Sequence, residues 1–157
     1  MILTHETMVL IDAGYHYLDY SSDVCRIFFI DPPKKSLGQR LLDLHRTAKE
    51  YSEFHVEKLK VWDVVLQAQI EADKMFVPNG TAASVDIAAR QIIDDAGYKG
   101  TFTPRLGHGI GIKAHDSPYL NKGNHDTLLR ASLTFTAEPG IYLEGKFGCQ
   151  TRGHLSR

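Results

Sequence analysis

The chain has 157 residues, the size of one domain, and its 43% hydrophobic and 24% charged content excludes a disordered or low-complexity chain. Lys plus Arg (18) against Asp plus Glu (19) leaves a net charge of −1, without the basic excess of a nucleic-acid binder. No apolar run approaches the roughly 20 residues of a membrane span, the first residues lack a signal-peptide pattern, and two cysteines are too few for a disulfide framework or a Cys-based zinc site, so a cytoplasmic single domain over 1–157 is expected.

Met8-Val9-Leu10-Ile11 predicts a strand ending in a turn at Asp12-Ala13-Gly14. Val24–Ile30, rich in β-branched and aromatic residues, predicts a second strand, stopped by Asp31-Pro32-Pro33. Two helices follow. Residues Ser36 to about His55 place Leu37, Leu41 and Leu44 at helical spacing, and Leu59 to Phe76 do the same with Val61, Val65, Ala68 and Ala72. Ser84-Val85-Asp86 opens a third helix, closed by Gly97. Leu106–Gly111, Leu133–Thr136 and Ile141–Leu143 read as strands in a loop-rich remainder. The order predicts an α+β fold, with helices gathered against an antiparallel sheet.

If the first two strands form a hairpin turning near Tyr17 and Leu18, Asp12 and Asp23 face each other, with Cβ atoms about 4.5–5.5 Å apart. Two carboxylates that close repel unless a cation or a proton lies between them; equally, either aspartate could simply cap a turn. In Gly107-His108-Gly109-Ile110-Gly111 the flanking glycines allow close approach to the histidine, and the run lacks the spacing of a dinucleotide-binding turn. A lone histidine such as His115 is more often a hydrogen-bonded structural residue than a catalyst. Alternation puts Thr134, Thr136 and Glu138 on one strand face, where a buried Glu138 needs a metal or an arginine as partner.

Taken in order, Asp12 and Asp23, the histidine of GHGIG, His115 and the glutamate of Glu138-Pro139-Gly140-Ile141-Tyr142 resemble the metallopeptidases of the pita-bread fold. That family includes methionine aminopeptidases, Xaa-Pro aminopeptidases and prolidases. The likeness runs from about residue 7 to 148, and Pro118–Asn124 and Leu143–Gly148 look more like the Xaa-Pro branch. The resemblance implies two divalent ions, Mn²⁺ first, with Co²⁺ or Zn²⁺ as alternatives. It implies Asp12, Asp23, His108 and Glu138 as metal ligands, Glu138 also as proton acceptor, and His115 as a substrate contact. The substrates would be peptides with proline at position 2, neither nucleic acid nor membrane is expected as a partner, and a homodimer is plausible for the family.

Three departures from the family pattern stand out. Its fifth ligand is a glutamate fourteen residues after the EPG glutamate, and that place holds Arg152. A cation there costs on the order of several kcal/mol against a bound ion. A histidine usual four residues before the GHG histidine is replaced by Pro104. The chain also reads as an incomplete domain, with 149–157 as a divergent tail and no strand after position 152. The alternative to an Xaa-Pro peptidase is therefore a non-catalytic homologue that binds peptides or proteins.

Overall fold

The computed structural model describes residues 7–30 and 47–156, the side chains of 47–55 excepted. Strands β1 (Met8–Tyr17) and β2 (Tyr20–Phe29) form an antiparallel hairpin. Leu18 (φ 47°) and Asp19 (φ 67°) both take positive φ, the conformation that a two-residue turn between twisted strands requires. That turn lies one residue later than expected, so the register changes: Asp12 faces Cys25 and Asp23 faces Gly14. The expected direct opposition of Asp12 and Asp23 is thus incorrect. A two-residue slip keeps side chains on their face, and the two aspartates lie diagonally on the same side. Asp12-Ala13-Gly14 is strand interior rather than a turn.

Helix α1 spans Thr47–Met75 without interruption. The break expected between His55 and Leu59 is absent, since Val56-Glu57-Lys58 holds neither Gly nor Pro to stop a helix. The expected start at Ser36 lies outside the described residues. Val61, Val65, Ala68 and Ala72 form the fully buried stripe, as their spacing predicts. Helix α2 (Ala82–Ile93) starts at Thr81, whose hydroxyl accepts the Ser84 amide at 3.1 Å. Its end widens through Asp94–Tyr98, where Gly97 sits at φ 89°.

The remaining strands are β3 (Gly107–Gly109), β4 (Asp116–Leu120), β5 (Thr134–Ala137), β6 (Gly140–Leu143), β7 (Phe147–Gln150) and β8 (Gly153–Ser156). They make a four-stranded sheet, β4-β3-β5-β8, and a β6-β7 pair, all antiparallel. Far from ending in an unpaired tail, the chain pairs β8 along all of β5, from Ala137↔Gly153 to Thr134↔Ser156. A Cys25↔Arg152 bridge joins the hairpin to the link between β7 and β8. Helices and sheets share one core, in which Val61, Val85, Ile93, Leu106, Phe135 and Ile141 are fully buried. The α+β expectation holds.

Candidate active site

The site is assembled by short strands that approach unusually closely. At Gly107 any Cβ would collide with the Thr136 carbonyl oxygen of β5, so only glycine lets β3 lie against β5 there. The His108 amide then donates to Thr136 Oγ1 at 3.1 Å, and the same hydroxyl donates to Glu138 Oε1 at 3.1 Å. One threonine therefore sets the relative positions of His108 and Glu138. The chain entering β3 is fixed by Asp86, fully buried on α2, which accepts the Leu106 amide at 2.9 Å and pairs with Arg90 at 2.6 Å. From α1, Gln69 donates to the Ala137 carbonyl at 3.1 Å and accepts from the Thr151 hydroxyl at 3.2 Å. It thereby ties the residue before Glu138 to the residue before Arg152.

Arg152 lies at the centre of the acidic groups. Its Nε and Nη2 donate to Glu138 Oε2 at 2.9 and 2.6 Å, and Nη1 donates to Asp12 Oδ1 at 2.8 Å and to Asp23 Oδ1. Gln150 adds a donor to Glu138 Oε2 at 3.1 Å. Burial acts to lower the Arg152 pKa, but Glu138 and then Asp23 outweigh it and hold the guanidinium above its ordinary value. Burial, with Glu138 adding to it, pushes the nearby Tyr142 phenol up to about 12.

The opposite side of the cluster has no such partner. Among the described residues, Asp23 Oδ2 and His108 Nε2 are the buried side-chain polar atoms that lack a hydrogen bond. Asp23 is 6% and His108 1% exposed. His108 Nδ1 lies 3.0 Å from the Gly109 carbonyl, an acceptor only, so Nδ1 carries a proton and Nε2 is the ring atom turned inward. Nε2 lies 3.4 Å from Asp23 Oδ2 and 3.2 Å from Glu138 Oε1. His115 Nε2 is 3.5 Å from the same Asp23 oxygen. Acceptors converging in a buried space need a cation or a proton among them. Asp23, His108 and His115 offer donor atoms within 4.8 Å of one another, and carboxylate with imidazole suits a divalent transition ion. One ion fits these residues. A second does not, because Arg152 fills the space between Asp12, Asp23 and Glu138.

All five residues singled out in the sequence, Asp12, Asp23, His108, His115 and Glu138, thus meet in one constellation, and Arg152 stands beside Glu138 as the count of fourteen residues predicts. His115 lies at ligand distance, in addition to the substrate side given to it above. Pro104 lines a cavity of about 340 Å³ with Arg105, His108, His115, Glu138 and Arg152. Sequence reasoning missed Gln69, Gln150 and Thr151. Glutamine and threonine carry no charge or motif that marks them; only their reach across the fold does.

Residues 1–153 match metallopeptidase family M24. The chain is 36% identical over 141 residues to a Xaa-Pro dipeptidase of Lactobacillus delbrueckii subsp. lactis, covering 90% of this chain and 32% of that protein. Among solved structures it is similar to an X-Pro aminopeptidase from Thermotoga maritima (TM-score 0.76, 32% identity, 96% of this chain and 37% of that one). It is also similar to a prolidase from Thermococcus sibiricus (TM-score 0.75, 36% identity, 94% and 34%). The chain spans about a quarter to a third of the length of the curated relatives it matches. With the family pattern matched over nearly its whole length, this chain belongs to metallopeptidase family M24 and has the pita-bread fold.

Proposed function

We propose that this chain carries the catalytic centre of a metal-dependent peptidase that cleaves the bond before a proline, as a dipeptidase or an aminopeptidase. The observation that carries this reading is the pair of buried, unpartnered atoms Asp23 Oδ2 and His108 Nε2, with His115 Nε2 beside them, next to an open cavity of about 340 Å³. The preference for proline rests on the relatives named above.

Asp23, His108 and His115 would hold the ion; Mn²⁺ is the first choice by family resemblance, and two imidazoles suit Co²⁺ or Zn²⁺ at least as well. When bound, such an ion makes a water acidic enough to attack near neutral pH and polarises the carbonyl. Glu138 is anchored through Oε2 by Arg152 and Gln150 and turns Oε1 toward the same space; it is the group placed to take the water's proton and pass it to the departing nitrogen. His115, with its side chain 59% exposed, would also face an incoming substrate carbonyl. Cys25 and Cys149, free and buried, suit a reducing compartment such as the cytoplasm.

The test is hydrolysis of Ala-Pro and Ala-Ala by the purified chain after chelation and reloading with Mn²⁺. Cleavage of Ala-Pro in preference to Ala-Ala, abolished by chelator, is expected. A folded, Mn²⁺-loaded chain that cleaves neither dipeptide would overturn the reading.

A further inference from the structure

The charges at the site set how many metal ions it holds. Asp12, Asp23 and Glu138 bring three carboxylates, and Arg152 returns one positive charge to all three. The remaining formal charge, −2, is balanced by one divalent cation. The geometry divides the same way. Asp12 Oδ1, Asp23 Oδ1 and Glu138 Oε2 are engaged by the guanidinium, whereas Asp23 Oδ2 and His108 Nε2 remain without a hydrogen bond on the other side. Asp23 thus spans two cation positions, one oxygen turned to each.

We propose that Arg152 is a built-in cation that replaces one of two metal ions, so that this chain binds a single divalent ion between Asp23, His108 and His115. A second divalent ion would either leave the centre at a formal +2 beside the guanidinium or have to displace a guanidinium held by four hydrogen bonds. Such a pair of cations at contact distance in a poorly solvated site is strongly repulsive. Asp12, which accepts from Arg152 Nη1 at 2.8 Å, is then a clamp for the guanidinium rather than a metal ligand. The inference uses the metal site of the proposed peptidase, but its readout is stoichiometry, so a chain inactive on Ala-Pro can still bear it out.

The experiment is Mn²⁺ binding to the full chain after chelator treatment, counted by elemental analysis, with electron paramagnetic resonance on the loaded protein. The wild-type chain should take one Mn²⁺ and give the hyperfine pattern of an isolated ion. Arg152→Glu should take two and show the broadened signal of a coupled pair. Asp12→Asn, folded by circular dichroism, should still take one ion, more weakly because the centre has one carboxylate fewer, whereas Asp23→Asn should lose it. If Arg152→Glu does not fold, Arg152→Gln serves: it should gain thermal stability on adding Mn²⁺ by more than the wild type does. Two ions in the wild type would overturn the inference. So would none at millimolar Mn²⁺, which would place a proton, not a metal, among Asp23, His108 and Glu138.

Discussion

Arg152 grips Glu138 with two of its nitrogens, Nε at 2.9 Å and Nη2 at 2.6 Å, both on Oε2. Such a charge-assisted fork fixes orientation as well as distance. Removing one member of a buried pair leaves the other charge uncompensated, typically a loss of about 3–5 kcal/mol. Arg152→Met should therefore lower the free energy of unfolding by about that amount in chelator, measured by urea titration, and Mn²⁺ should restore part of it. An unchanged midpoint in chelator would show that the three carboxylates tolerate each other without the guanidinium.

Gly107→Ala should destabilise the chain by about 1–3 kcal/mol or more, the range for overpacking a close contact, because its methyl group would strike the Thr136 carbonyl. Moving β3 off β5 also shifts the His108 amide from Thr136 Oγ1. Metal affinity should fall with stability, and a variant that kept both would show that β3 can shift freely.

Gln69→Leu tests whether α1 positions the site. The substitution removes the bonds to the Ala137 carbonyl and the Thr151 hydroxyl and keeps much of the volume. We expect about 1–3 kcal/mol of destabilisation from the unsatisfied carbonyl, together with at least about a fivefold loss of Mn²⁺ affinity by calorimetry, equivalent to about 1 kcal/mol. Loss of stability with unchanged affinity would reduce Gln69 to a packing role.

Stability should fall in alkali because of Cys149. Burial, with Cys25 adding to it, pushes its thiol from 9.0 up to about 12. Below pH 9 the thiol is protonated in both states and contributes no pH dependence. Between pH 9 and about 12 the unfolded chain releases the proton while the folded chain keeps it, so stability falls as pH rises. Thermal midpoints recorded from pH 8 to 11 should fall above pH 9, and less steeply in Cys149→Ala. A parallel slope in that variant would assign the fall to other groups.

Chemistry-bearing residues were more legible in the sequence than the geometry that carries them. Asp12, Asp23, His108, His115 and Glu138 stand out because carboxylates and imidazoles in apolar or Gly-rich strands demand partners. The hairpin register was misjudged because nothing in Tyr15–Tyr20 marks Leu18-Asp19 as the turn: leucine seldom adopts positive φ, yet it does here. β4 is hidden by Pro118, which argues against a strand, and β7 and β8 each contain a glycine and no β-branched residue, so neither carries the composition that marks a strand. The count from Glu138 to Arg152 needed no strand assignment, and it located the residue on which the centre turns.

Asp12 and Arg152 are 140 residues apart in the chain, so their ion pair draws together nearly its whole described length. Small metal-dependent domains often stay unfolded until an ion arrives, which makes their maturation hostage to metal supply. Here the cation that quiets the three carboxylates is encoded in the polypeptide and arrives with it. The strands can therefore close around the three carboxylates before any ion arrives, and the ion proposed for this site is not a condition of folding.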